Sequence, residues 1–445
     1  MMAMRRIASG PTCSMKPLRH AILLLPALVA TLTPASAQDY LTGDREPADT
    51  AGDMLSPFTD LQKPEPLGRL AIFSDEPFIR DAVFSLQPRF YYRSVRNAIG
   101  VQDTFAGGGS MSLTTGWWKD MIQFGVAGYT TQPLVAVKND NRSGLVQTDG
   151  DGFFTLGEAW AKLRAGPATA TVFRQILNMP FINANDTRMI PNTYEAYQIE
   201  VKPWDYLEVN AGHITQMKAR NSPDFVPMSE AAGAPQVNRG TSFAGFLVGY
   251  EDRTYAGAMT QVTWDLFSST YLQAGHTWYV TPGVEIRGDL QFADQRSVGA
   301  EYIGSFDTQL YGGRLAASYE NAVLSFAYTK TARGSGLLDP FGADPGFNGL
   351  MISNFALEGE QSFGANLSYD FERIGLRGVT VFASYVYGAL PEDGWEQEIN
   401  VTADYRINSG LLRNFWLRLR YAHNEAGDRA PIEDFRVILN YTYNF

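Results

Sequence analysis

The chain carries 445 residues and a formal net charge of −11, with 19% charged residues, Gly 42, Tyr 22 and Phe 27, and no break in composition along its length. This balance favours many strands over helices, and the acidity argues against nucleic acid as a partner. The only cysteine, Cys13, precedes a predicted cleavage site, so disulfides, thiol nucleophiles and thiolate metal sites are excluded from the exported chain.

Residues 1–37 read as a signal peptide. Lys16 and Arg19 precede the apolar run from Ala21 to Leu32, and Ala35-Ser36-Ala37 supplies a small-residue cleavage pattern before Gln38. The run is too short to span a bilayer. Arg5 and Arg6 fall in an upstream extension, with Met15 as the expected true start. Removing 1–37 takes away four basic residues and no acidic one, for an expected net charge of −15. Residues 38–82, rich in Asp, Pro and Gly, are expected to form an N-terminal periplasmic segment, as a mobile tail or a partial lumen insert. It is far too short for the folded plug of an energy-coupled receptor.

From residue 83 onward the sequence predicts eighteen strands: 83–95, 109–119, 121–133, 153–165, 167–176, 194–202, 205–214, 241–252, 254–264, 268–280, 283–293, 308–319, 322–333, 360–372, 376–389, 396–407, 412–425 and 432–445. Alternation is the signal. In the last strand Val437, Leu439, Tyr441, Tyr443 and Phe445 form one apolar face, with Arg436, Ile438, Asn440, Thr442 and Asn444 on the other. The same two-residue period returns in Phe415, Leu417, Leu419 and Tyr421, in Val284, Ile286, Leu290 and Phe292, and in Phe84, Leu86, Phe90 and Tyr92. Tight turns at Lys119-Asp120, Gly166, Pro203-Trp204, Arg253, Thr281-Pro282, Glu320-Asn321 and 373–375 alternate with longer connections at 96–108, 134–152, 177–193, 215–240, 294–307, 334–359 and 426–431.

No stretch of the exported chain approaches about 18 consecutive apolar residues, which excludes a transmembrane helix. A closed barrel is the other structure that pairs every backbone polar group within lipid. The predicted fold class is therefore all-β: a transmembrane antiparallel β-barrel of about 18 strands over 83–445, with short periplasmic turns and long outer loops. Its expected location is the outer membrane of a Gram-negative bacterium, with membrane lipid and the barrel assembly machinery as partners. Tyr443 and Phe445 form the expected assembly signal, an apolar alternating strand ending on an aromatic.

The segments SDEPFIRDAVFSLQPRFYYRS (74–94), FRQILNMPFINANDTRMIPNTYEAY (173–197), GEQSFGANLSYDFERIGLRGVTVFASYVYG (359–388) and LRNFWLRLRYAH (412–423) resemble blocks of the OprD family of substrate-specific outer-membrane porins. The match spans nearly the whole exported chain. The block at 173–197 is the most specific, with its Arg-Gln pair, asparagine-rich turn, Arg188 and Pro191 in the family's order. The resemblance implies an eighteen-stranded barrel, a monomer or a loose trimer, with loops folded inward to narrow the pore. It also implies passive, substrate-selective diffusion of small water-soluble solutes such as carboxylates or amino acids.

Geometry nominates the solute path. If the last strand closes on the first, Arg89 and Arg93, Arg436, and Arg418 and Arg420 project inward from three adjacent strands as one basic stripe. They sit about six to ten residues up from the periplasmic ends, at mid-membrane or above. The resemblance implies a lumenal ladder of basic residues and agrees for Arg418, Arg420 and Arg436; Arg89 and Arg93 rest on the geometry. The alternative is that these charges only solvate a wet interior and pair with Glu398, Asp404 and each other. Glu200, Lys202 and Glu208 are expected on the facing wall, where Glu200 and Glu208 would make an acidic side that orients a zwitterion. Loop 177–193 is the leading constriction element, through Phe181, Asn183, Asn185, Asp186 and Arg188; Asp224 belongs to a further inward-folding loop, and 334–359 is the second candidate.

Other chemistry finds little footing. His213, His276 and His423 fall on separate predicted strands without ligand spacing, so neither a metal nor any other cofactor is expected. DGDGFFTLGE (149–158) lacks the full ligand pattern of a calcium loop and reads as a loop tip. No nucleophile elbow or Ser and His pairing supports a barrel-embedded hydrolase, so the protein is not expected to be an enzyme. A general diffusion porin is the nearer alternative.

Overall fold

The computed structural model describes residues 75–135, 143–410, 412–427 and 429–444. The predicted signal peptide and cleavage site, residues 38–74 of the N-terminal segment, and Phe445 lie outside these. A four-residue helix, Pro77–Arg80, leads into the first strand.

Eighteen antiparallel strands follow: β1 Val83–Asn97, β2 Gly100–Thr114, β3 Ile122–Pro133, β4 Phe153–Ala165, β5 Ala168–Gln175, β6 Thr193–Trp204, β7 Leu207–Lys218, β8 Thr241–Gly249 and β9 Thr254–Thr263. The second half runs β10 Phe267–Thr281, β11 Val284–Ser297, β12 Asp307–Tyr319, β13 Ala322–Thr331, β14 Gln361–Asp370, β15 Val379–Ala389, β16 Trp395–Ile407, β17 Phe415–Ala426 and β18 Ile432–Tyr441, with Tyr443–Asn444 extending the last. Each strand pairs with its neighbours in sequence, and β18 pairs with β1, for example Arg93 with Arg436 and Phe90 with Leu439. That last pairing removes the open edge and makes the sheet a barrel.

Burial is inverted relative to a water-soluble sheet. Leu290 is 69% exposed, and Phe326, Leu315 and Phe363 are each more than half exposed on the outer face. The inner face is polar: Gln261, Gln273, Arg287, Gln291, Asn400, Thr402 and Arg436 are all buried. Side chains alternate across a strand, so the period seen in the sequence becomes apolar-out and polar-in on the barrel wall. Exposed Trp204, Tyr206, Trp278, Tyr279 and Tyr319 gather at the periplasmic ends as an interfacial girdle.

Several predicted boundaries shift, and the largest correction is to β2, predicted over 109–119 and found at Gly100–Thr114. Residues 96–108 are not a loop: β1 and β2 continue upward and meet in the two-residue turn Ala98-Ile99, where the Asn97 side chain accepts the Ile99 N–H at 2.9 Å. The stretch contains Gly107 and Gly108, and Gly109 follows it. These glycines serve strand packing. A Cβ on Gly108 would lie 2.1 Å from the Thr130 carbonyl oxygen and one on Gly109 1.9 Å from that of Gln87, so the three strands approach too closely for any side chain there.

Apolar clusters sit inside the barrel mouth, where they hold loops. Leu177, Met179, Ile182, Met228 and Phe341 pack with wall residues Tyr194, Ile214, Phe243 and Phe267, while Leu145, Val146, Met189 and Ile190 pack with Tyr91 and Ile438. Loops folded inward thus have their own small cores within a polar lumen.

Candidate functional site

Loop 176–192 crosses the lumen. At one end the Asp186 carboxylate takes two hydrogen bonds from Arg89 of β1, at 2.6 and 2.8 Å, and the Tyr91 hydroxyl donates to the Thr187 carbonyl at 3.1 Å. At the other end Phe181 packs edge-on against Tyr271 of β10, ring centroids 6.3 Å apart. β1 and β10 are nine strands apart in an eighteen-stranded barrel, so this loop is a strut across the whole bore. Asn183 and Asn185 form its turn. The Asn183 side chain accepts the Asn185 N–H at 2.7 Å, and Asn185 has a positive φ of 45°, a conformation asparagine tolerates.

Loop 334–359 fills a second sector. It joins the strut through the Asn183 N–H donating to the Phe341 carbonyl at 3.0 Å and the Asn185 side chain donating to the Gly342 carbonyl at 2.7 Å. It reaches β11, where Gln295 exchanges hydrogen bonds with the Leu338 backbone, and β16, where Glu398 accepts the Ile352 and Ser353 N–H groups at 3.1 and 2.8 Å. The wall sector beyond this loop, formed by β16, β17, β18 and β1, carries the arginines of the predicted stripe.

All five arginines predicted for the stripe lie on the inner face. Arg420, Arg436 and Arg93 occupy directly paired positions on β17, β18 and β1, so they form one row. Like charges directly opposite each other repel, and Asp434 offsets this. Its carboxylate, fully buried, accepts from Arg93 at 2.6 Å and from Arg436 at 2.8 and 3.0 Å. Below the row, Arg418 makes a two-point contact with Asp404, both bonds 2.8 Å, and lies over the Trp416 ring, whose other neighbour is Arg406. Arg406 extends the stripe toward the periplasm. Arg420 donates to the Thr402 hydroxyl at 3.2 Å.

Several expected pairings are corrected. Asp404 does pair with an arginine, but Glu398 is engaged with loop backbone, and the principal counter-ion, Asp434, was not singled out from the sequence. Its position was legible, because it shares the inward parity of Arg436 two residues on. Glu200 and Glu208 do not face the arginine row at its level. They lie four and one residues from the periplasmic ends of β6 and β7, bridged by Lys202 at 3.0 and 3.4 Å, whereas Arg93 is ten residues up β1. The reason is register: the inward parity was right, the height was not. Asp224 is exposed, and its N–H donates to Ser222 rather than its carboxylate reaching the lumen row. Phe181 is buried in a loop contact and does not stand free at an opening.

Arg188 and Arg220 complete the geometry. Both donate to the Thr187 hydroxyl, at 3.4 and 2.6 Å, and Arg220 also reaches the Asn185 side chain at 2.5 Å. Burial, with Arg220, Arg93 and Arg436 nearby, pulls the Arg188 guanidinium well below its ordinary range; burial and the same two wall arginines bring Arg220 down to about 10. Arg220, in a long irregular loop, had no sequence signal pointing to it.

Among the described residues no His, Cys, Asp or Glu cluster could hold a metal. Of the 149–158 segment only 149–152 is a loop tip, with the Asp149 side chain accepting the Asp151 N–H, and the rest belongs to β4.

A closed barrel with an apolar belt, a lumen narrowed by a transverse loop and a charged inner wall defines an outer-membrane channel. Residues 76–445 match the family model described as outer membrane porin, OprD family, and the chain belongs to that family, one of porins and not of enzymes. Porin D of Pseudomonas aeruginosa strain PAO1 is 22% identical over 408 residues, covering 82% of this chain and 91% of that protein. Among solved structures, OccK9 (OpdG) of Pseudomonas aeruginosa shares 24% identity with a TM-score of 0.78, covering 83% of this chain and all of that one. OpdK of the same species, solved with vanillate, shares 21% identity with a TM-score of 0.75 over the same shares of the two chains. The protein is thus an integral outer-membrane barrel of a Gram-negative bacterium.

Proposed function

We propose that this porin passes small carboxylate solutes selectively, by handing the anionic group down the arginine stripe. The observation that carries this reading is the row Arg420, Arg436 and Arg93, continued by Arg418 and Arg406, on the wall sector that the two inward loops leave to β16, β17, β18 and β1. Several weak, partly desolvated sites in series let an anion enter and leave, which conduction requires. The solved OpdK complex with vanillate shows a carboxylate bound by a structurally similar barrel. Anions are favoured over zwitterionic amino acids, because Asp434, Asp404 and Asp186 are already engaged by arginines and leave few acidic groups for an ammonium. Each chain closes its own barrel, so one copy is a complete channel, whether alone or in a loose trimer.

Single-channel current of the refolded protein, with Arg418→Ala and Arg420→Ala beside it, tests the reading while carboxylates and amino acids are titrated. Block by carboxylates that weakens in both variants is the expected result. Equal passage of anionic and neutral solutes, or variants matching the parent, would make it a general diffusion pore.

A further inference from the structure

Most lumenal arginines near the strut have an acidic partner, but Arg188 and Arg220 have none among the described residues. Arg188 donates through Nη1 to the Thr187 carbonyl at 2.9 Å and hydroxyl at 3.4 Å, and its Nε is buried without any acceptor. Among the described residues the Arg220 guanidinium donates to the Asn185 and Thr187 side-chain oxygens, while its backbone N–H donates to the Asn192 side chain at 2.8 Å. A buried cation without an acceptor costs free energy unless something else completes it. Both residues remain partly exposed, so a solute in the lumen can reach them.

These two loop cations adjoin the wall pair. Arg188 Nε lies 3.2 Å from where a Cβ on Gly144 would stand, and the neighbouring Ser143 carbonyl accepts from Arg93 at 2.5 Å. Arg93 in turn shares Asp434 with Arg436. Four guanidiniums, two from the wall and two from loops, therefore lie close together, and of these only Arg93 and Arg436 contact the Asp434 carboxylate. Asp186 is engaged by Arg89, and Asp339, near enough to Arg220 to be felt but making no ion pair with it, offsets the cluster only in part. A single carboxylate in this place would leave at least two positive charges unmatched.

We infer that the Arg93, Arg436, Arg188 and Arg220 cluster is a binding site for a small dicarboxylate, with the two loop arginines selecting dianions over monoanions. This rests on the carboxylate reading above and adds a valence to it. Two anionic groups suit a site whose guanidiniums come from two different bodies, wall and loop, better than one compact ion does. The loop pair is the specificity element, and the wall pair serves any carboxylate.

The full-length refolded protein in a planar bilayer tests this with glutarate, pentanoate and inorganic phosphate as blockers. Glutarate and pentanoate share a chain length and differ by one carboxylate. Charge-assisted hydrogen bonds of about 1.5–3 kcal/mol correspond to about tenfold or more in affinity. Glutarate is expected to block at a concentration at least about tenfold below pentanoate, and Arg188→Met and Arg220→Met are each expected to remove most of that ratio while shifting pentanoate little. Equal block by the two acids in the parent overturns the dianion site and leaves the carboxylate reading standing; block by neither overturns both. Variants that weaken both acids equally show that the loop arginines only hold the loop, and tighter block by phosphate than by glutarate overturns the two-carboxylate assignment. The parent comparison needs no variant, so poor folding of either substitution leaves the test intact.

Discussion

Asp434→Asn is the most informative single change, because it removes one charge that two arginines share. Arg93 and Arg436 are directly paired across β1 and β18, and the Asp434 carboxylate takes Nε and Nη2 donors from both. Directly opposed side chains have Cβ atoms about 5 Å apart, and two like unit charges at about that distance repel by about 3 kcal/mol at an effective dielectric constant of about 20. Asparagine keeps the shape but not the charge, and it turns a donor toward one guanidinium. Stability should fall by about 3 kcal/mol, near the low end of about 3–5 kcal/mol for breaking a buried pair. The loss should shrink with salt, since the Debye length drops from ~10 Å at 0.1 M to ~3 Å at 1 M and anions can take the place of the carboxylate. Urea titration followed by tryptophan fluorescence at both salts measures it, and the reversal potential under a salt gradient should move toward anion selectivity. A loss that is the same at both salts, with selectivity unchanged, would mean that Asp434 acts through packing and not through charge.

Two further outcomes concern loop 334–359. Glu398→Gln weakens the acceptor for the Ile352 and Ser353 N–H groups, so the loop should leave the wall more often and single-channel current should become larger and noisier; traces matching the parent would show that Glu398 does not hold it. Burial, reinforced by Asp339 and opposed by the Gly346 N–H, pushes the Asp344 carboxyl up from 3.8 to about 7. Its folded value lies above the unfolded one, so the docked loop binds the proton more tightly than a released loop does. Docking is therefore strongest below about pH 4, weakens as pH rises from about 4 to 7, and stays weak above. Openings should be more frequent at about pH 8 than at about pH 5, and Asp344→Asn should reduce that difference, with the remainder left to Glu360, which accepts the Leu357 N–H and is pushed up to about 8 by burial; recordings at both pH values check this.

The barrel was legible because its physics has a short period. Lipid outside and water inside force alternation on every strand, and a two-residue period is visible in a sequence without knowing any contact. β4, expected over 153–165, is found at Phe153–Ala165. The largest error is at 96–108, expected as a long connection and found as the top of β1 and the upper part of β2. In Gly108 and Gly109 the glycines answer a close backbone approach to the neighbouring strands β3 and β1, and such an approach leaves no periodic trace. The site divides along the same line. Inward parity correctly directed Arg89, Arg93, Arg418, Arg420 and Arg436 to the inner face, and could have found Asp434 and Arg406. It could not find Arg220 or Ser143, whose place depends on how two irregular loops fold back into the bore.

Those loops also explain why a polar lumen contains hydrophobic clusters at all. A charged wall can attract a loop, but charge alone gives many near-equivalent positions in water. Loop 176–192 is held at β1 by an ion pair with Arg89 beside the packing of Met189 and Ile190 on Tyr91 and Ile438, and at β10 by the Phe181 contact with Tyr271. The apolar contacts are indifferent to salt and to passing anions, whereas the ionic contact competes with them for the same arginines. An anion drawn to the stripe thus acts on the Arg89–Asp186 contact of the strut, while the apolar contacts at both ends keep the loop inside the barrel. Selectivity and constriction then depend on the same guanidiniums, and a substitution in the stripe must be read for both effects at once.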